Sequence, residues 1–199
     1  MSLEQPPSVE PIPGLKDEYP TKDGRAIHIT PIGREHMRAH MSVIPLLDEA
    51  MAQVELPKDG SGIAVAVDLH RPLEKATKVE TPDIGLDGEA WFAKRHNRLG
   101  ATHIVLDGDS EQMVSTVVII AKPPVADQNK YLLRSAYIGT TSPPEPYAVK
   151  TEEERAVALG HWSTHALVYT PSDMGAPFRS TWRQVLAESA AMQSTGKAA

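Results

Sequence analysis

Eight histidines carry most of the chemical reach of this 199-residue sequence, because it has no cysteine. Thiol nucleophiles, disulfides, iron-sulfur clusters and thiolate-bound zinc are therefore absent, and any metal would need His and carboxylate ligands. Four histidines form two H-x-x-x-H pairs, His36 with His40 and His161 with His165. Two such imidazoles lie about 6 Å apart along a helix and can share a metal ion, but stand about 13 Å apart on a strand. His36 and His40 fall in a predicted helix, with Glu35, His28 or Asp68 as candidate third ligands. None of these is at motif spacing, so an exposed helix face is expected there. The predicted boundary between helix and strand runs between His161 and His165, and neither metal nor cofactor is expected at any of these positions.

A second pattern is His28-Ile29-Thr30 and His161-Trp162-Ser163. Positions i and i+2 of a strand face the same way, so each dyad would present an imidazole and a hydroxyl to one cleft. Two dyads would supply a general base, a general acid and two hydroxyl donors, the groups that metal-free phosphodiester cleavage requires. Over these six residues the arrangement is similar to that of the two-histidine phosphoesterases. The resemblance implies His28 and His161 as acid and base, with Thr30 and Ser163 holding the substrate. Gly108-Asp109-Ser110 resembles the opening block of the GDSL-type serine hydrolases over three residues. No D-x-x-H follows to activate that serine, and the block reads better as a hairpin turn.

Arg134 lies within the apolar run Tyr131 to Ile138, on the same predicted face as Leu132 and Ala136. An arginine buried there needs a carboxylate partner or an anionic ligand. If a ligand binds, the expected geometry is a small anion beside Arg134 and His165. The P-loop, G-x-S-x-G and H-E-x-x-H motifs are absent, and Gly60-Ser61-Gly62 lacks the third glycine of a dinucleotide turn.

The elements that would position these groups follow from periodicity and turn chemistry. Met1 to Gly24 holds Pro6, Pro7, Pro11, Pro13 and Pro20 and few large apolar residues, so it reads as an extended arm (1–24) free to dock on a partner. Arg25 to Thr30 predicts a strand, and Thr30-Pro31 an N-cap opening a helix to about Met41. A second helical piece should run from Pro45 to Val54. Gly62 to Leu69 predicts a buried strand, and Asp87 to Leu99 an amphipathic helix closed by Gly100, with Trp91, Arg95 and Arg98 on one side. Thr102 to Leu106 and Gln112 to Ala121 read as a hairpin about Asp107-Gly108-Asp109. Tyr131 to Ile138 and Thr164 to Tyr169 predict strands, and Ser142 to Pro146 a rigid loop. Thr151 with Glu154 is a capping box for a helix to about Leu159, and Ser180 to Met192 predicts a closing helix. The expectation is one α+β domain over 25–192, with a central, mostly antiparallel sheet flanked by helices and a flexible tail over 193–199.

Acidic groups number 26 against 20 basic ones, and no segment is basic enough to follow a phosphate backbone, so tight nonspecific nucleic-acid binding is not expected. No apolar run of 18 residues exists and the first 24 residues are acidic and proline-rich, which predicts a soluble, cytoplasmic protein without membrane contact or signal peptide. Two functions fit. One is a small hydrolase or phosphodiester-cleaving enzyme with His28, His161 and His165 as acid and base and Arg134, Thr30 and Ser163 binding substrate. The other is a non-catalytic interaction protein, docking through its arm and its proline loop onto a protein partner or a second copy of itself. Convergence of the histidines on a cavity would favour the first, and their dispersal the second.

Overall fold

The computed structural model describes residues 11–94, 101–124, 127 and 130–195. The elements in chain order are β1 (Glu18–Pro20), β2 (Ala26–His28), α1 (Pro31–Met37), a 3₁₀ segment (Arg38–Leu46), α2 (Leu47–Met51), β3 (Ile63–Asp68), β4 (Glu74–Ala76), β5 (Lys78–Glu80), β6 (Ala90–Lys94) and β7 (Ala101–Val105). After a 3₁₀ turn (Gly108–Ser110) come β8 (Gln112–Val114), β9 (Thr116–Lys122), β10 (Tyr131–Ile138), α3 (Glu152–Trp162), β11 (His165–Val168), α4 (Pro171–Met174), β12 (Phe178–Ser180) and α5 (Trp182–Thr195). The fold is mixed α+β and its sheets are largely antiparallel. No described helix is long and apolar enough to cross a membrane.

The chain forms two compact units, each built from two stretches of sequence, and has two five-stranded sheets where one central sheet was expected. The first unit, residues 1–74 and 113–141, carries the order β1-β2-β10-β9-β3, with a parallel pair only at β2/β10. Its helices obey local rules. The Thr30 hydroxyl accepts from Gly33 N at 3.0 Å, capping α1, and Pro31 occupies the first helical turn. Pro45 lies in the 3₁₀ segment, and α2 restarts beyond it with Leu47, Ala50 and Met51 fully buried. The described part of the expected arm is not free. Ile12, Leu15 and Tyr19 are buried in this unit's core and β1 pairs with β2, while Pro6 and Pro7 lie outside the described residues.

The strand over Tyr131–Ile138 forms as its alternation predicts, with one correction at its centre. Leu133 pairs with Ala121 and Ser135 with Ile120, so Arg134 is the extra residue of a β-bulge. The bulge resets the alternation: Tyr131 and Leu133 face the core before it, and Ala136 after it. Arg134 therefore points outward, is exposed, and makes no ion pair among the described residues. Arg134 is thus not a buried charge that needs a carboxylate or an anion.

The second unit, residues 75–112 and 142–199, carries the order β12-β6-β7-β11-β5, with β7/β11 parallel. Two expectations fail here. Residues 90–94 form a strand, not a helix, because Trp91 and Phe92 find partners on both sides, Phe92 pairing with His103 and with Phe178. Two-sided pairing of an aromatic run outweighs a helical spacing of polar residues. Asp87, where that helix was expected to begin, accepts from Arg183 on α5 at 2.6 and 2.9 Å. Arg95, Arg98 and Gly100 lie outside the described residues. The hairpin about Asp107-Gly108 does not form either. β7 pairs with β6 and β11, while β9 pairs with β3 and β10, so the two apolar strands belong to different sheets.

The core of the second unit is Phe92, Ile104, Trp162, Leu167 and Trp182, with Trp182 edge-on to Phe92 at 5.0 Å between ring centres. The capping box of α3 is present, with the Thr151 hydroxyl accepting from Glu154 N and the Glu154 carboxylate accepting from Thr151 N. That helix runs one turn beyond the expected Leu159, and α5 continues through Thr195 into the expected tail.

Candidate active site

The sequence-predicted residues divide between the units. His28, Thr30 and Arg134 belong to the first, and His161, Ser163 and His165 to the second. In the first unit, His28 ends β2 with Nδ1 3.4 Å from the Glu18 carboxylate, and the Thr30 hydroxyl is committed to its helix cap. In the second, His161 closes the last turn of α3 and Ser163 is its C-cap, donating to the Gly160 carbonyl at 3.3 Å. The strand dyad expected at His161-Trp162-Ser163 is therefore replaced by a helix end, because α3 keeps propagating until Trp162 is buried.

His36 and His40 do meet, with ring centres 5.1 Å apart, but the backbone at His40 leaves helical geometry. His36 Nε2 lies 3.0 Å from the Ser135 hydroxyl, and His40 packs against Tyr137 at 5.9 Å. Burial, reinforced by the charge of His36, lowers the pKa of His40. The candidate third ligands are engaged elsewhere, Glu35 with Arg38 and Asp68 with His70. Among the described residues no three His, Asp or Glu side chains are placed to hold a metal ion.

The denser cluster is in the second unit. Pairing of β5 with β11 sets Lys78 opposite Leu167 and Glu80 opposite His165, so Lys78, His165 and Leu167 share one face of the sheet. Val79, Ala166 and Val168 take the other face and are buried there. Leu167 packs in the same core as Ala158 and Trp162 of α3, which brings the end of that helix over the shared face. The His161 and His165 rings stack at 4.0 Å with 6° between their planes. His165 Nδ1 lies 2.9 Å from the His161 carbonyl, which only accepts, so Nδ1 carries a proton. The Thr164 hydroxyl, 2.9 Å from the same nitrogen, donates to the His161 carbonyl at 3.0 Å.

Lys78 Nζ donates to the Ser142 hydroxyl at 2.8 Å, and its charge also acts on His161. Burial, followed by the charges of His165 and Lys78, pushes the His161 pKa down to about 4. His161 is thus neutral near pH 7, and its buried Nε2 has no hydrogen-bond partner among the described residues. Ser142 is followed in sequence by Pro143, which together with Pro144 and α3 lines a cavity of about 600 Å³. Pro143, Pro144, Ala148, Val149 and Val157 give it apolar walls, and Lys150 and Glu153 stand in its lining. The Trp162 indole, donating to the Pro143 carbonyl at 3.2 Å, ties the loop to α3.

His103 was not singled out by sequence. It is buried in β7, and its Nδ1–H is shared by the carbonyls of Trp162 (3.1 Å) and His165 (3.0 Å). Burial lowers its pKa against the effect of those carbonyls. A neutral imidazole in this position braces the turn that carries His161 and His165. The pairing of Lys78 with Ser142 was also missed, and no spacing signal exists for residues 64 apart.

Comparison with protein-family models, with curated proteins and with solved structures found no match to this chain.

Proposed function

We propose that this chain is a hydrolase of small esters whose apolar part occupies the cavity beside Pro143, with Ser142 as nucleophile and Lys78 as its base. The observation that carries the reading is the 2.8 Å contact between Lys78 Nζ and Ser142 Oγ, with Ser142 next in sequence to Pro143 of that cavity's lining. A serine needs an adjacent base to attack a carbonyl, and lysine is an established alternative to histidine in that role. In the amine form Lys78 accepts the Ser142 proton as Oγ bonds to the carbonyl carbon, then returns it to the departing alkoxide. Water next attacks the acyl-serine, Lys78 takes its proton and delivers it to Ser142 Oγ as the acyl–oxygen bond breaks, and the acid is released with the free serine restored.

Rings in van der Waals contact leave no space for a scissile group between them, so His161 and His165 do not serve as acid and base on opposite faces of a substrate. An apolar cavity favours an ester over a phosphodiester, and a cysteine-free chain suits the cytoplasm. The reading is tested by hydrolysis of p-nitrophenyl butyrate. Ser142→Ala should lower kcat/KM by at least about 10²-fold, and Lys78→Met by about 10²- to 10⁴-fold. Turnover unchanged in Ser142→Ala would refute it. A second reading, a non-catalytic protein that docks a partner at the proline loop, is favoured by Val157, which is 68% exposed beside Pro143 and Pro144.

A further inference from the structure

Five-stranded sheets present two edges each, and the four edges here are unlike one another. β1 is short and ends in Pro20, β5 carries Lys78 and Glu80, and β12 is three residues with Arg179 at its centre. Shortness, proline and charge are the usual means of keeping an edge from pairing with another chain. The fourth edge, β3, has none of them. It is six residues long, reads Ile-Ala-Val-Ala-Val-Asp, and is charged only at its last position.

The register tells which groups on β3 are open. Leu69 N donates to Ser115 O at 2.8 Å, continuing the pairing of β3 with β9. In an antiparallel ladder alternate residues bond toward the same neighbour, so Val67, Val65 and Ile63 also bond inward to β9. The N–H and C=O groups of Ala64, Ala66 and Asp68 then point away from the sheet. Ala64, Ala66 and Asp68 also have exposed side chains, two of them no larger than a methyl group. A cavity of about 480 Å³ lies against Val65 to Asp68, between this edge and Lys22, Val54 and Glu55.

We propose that β3 is a dimerisation edge, pairing antiparallel with β3 of a second copy of this chain about a two-fold axis at Ala66. That register sets Ala66 against its own counterpart and Ala64 against the other copy's Asp68. Each chain then contributes three N–H donors and three carbonyls, and every outward group of the edge is satisfied. Charge complementarity selects the second copy as occupant and the antiparallel sense as its direction. Lys122 faces Gly62 across the β9 ladder, with its stem 3.5 Å from where a Gly62 Cβ would lie, and makes no ion pair among the described residues. The exposed face thus has a cation at the Gly62 end and a carboxylate at the Asp68 end. Two-fold pairing brings each copy's Asp68 toward the other's Lys122 end, whereas parallel pairing would oppose like charges.

Sedimentation velocity on the full chain tests this. The wild type should form a dimer with a concentration-dependent sedimentation coefficient. Ala66→Pro removes the central outward N–H without touching the β9 ladder and should give a monomer with an unchanged circular dichroism spectrum. Should that variant misfold, the pair Ala64→Asp and Ala64→Lys serves instead, since Ala64 is exposed. Each dimer contains two contacts between residue 64 and Asp68, so Asp should weaken and Lys tighten association, each by roughly 2- to 30-fold. A wild-type chain that stays monomeric, or a dimer whose affinity is the same in both Ala64 variants, overturns the proposal. Retention of dimer by a folded Ala66→Pro chain would do the same.

Discussion

His161 offers the sharpest electrostatic prediction, because its ring is held neutral by features that can be named. A folded-state pKa of about 4 against an ordinary 6.5 means that folding disfavours the protonated ring. The stability this contributes is fully present above pH 6.5, where both states are neutral, and is lost as pH falls from 6.5 toward 4. Each unit of pKa difference corresponds to about 1.4 kcal/mol, so full burial would cost about 3 kcal/mol in acid. His161 is only partly buried, and solvent screening reduces that to about 1–2 kcal/mol. Urea unfolding of the wild type and of His161→Gln at pH 7 and pH 4.5 isolates this amount. His40 and His103 titrate in both proteins and cancel. The variant loses the stack on His165 at both pH values, but its deficit should be smaller by about 1–2 kcal/mol at pH 4.5 than at pH 7. A deficit independent of pH would show that the ring is not held neutral, and the description of the His161 surroundings would fail with it.

Three further outcomes follow from the fold. Leu133→Ala should cost about 2–5 kcal/mol and Arg134→Ala less than about 0.5 kcal/mol in urea unfolding, since the bulge buries the first and exposes the second. Equal costs would contradict the bulge. A Cβ at Gly88 would lie 2.1 Å from the Ile84 carbonyl oxygen, in a turn closed by Gly88 N bonding that same atom, so Gly88→Ala should lose about 1–3 kcal/mol. Thr151→Ala removes the hydroxyl of the α3 capping box and should lower stability by about 1 kcal/mol, read from the urea midpoint at constant slope.

What was legible in the sequence is what local chemistry decides. Thr30-Pro31 and Thr151 with Glu154 open helices where their side chains predict, because a cap needs only residues three or four apart. The alternation of Tyr131 to Ile138 defines a strand for the same reason. Residues 90–94 were misread because their state depends on β7 and β12, strands on either side that a window of sequence does not contain. The bulge at Arg134 inverts a two-residue period without leaving a glycine or proline to mark it. The candidate site shows the same division. His161 and His165 are four apart and could be suspected as a pair, but their stacking depends on α3 ending between them, and Ser142 meets Lys78 across 64 residues of sequence.

Covalent labelling of Ser142 tests the proposed chemistry most directly. The full chain is treated with diisopropyl fluorophosphate near neutral pH, and the modified residue is located by peptide mass spectrometry. The account predicts one adduct, on Ser142, abolished by Ser142→Ala and slowed at least about 10²-fold by Lys78→Met. An unmodified Ser142, or labelling at the same rate in Lys78→Met, would contradict it.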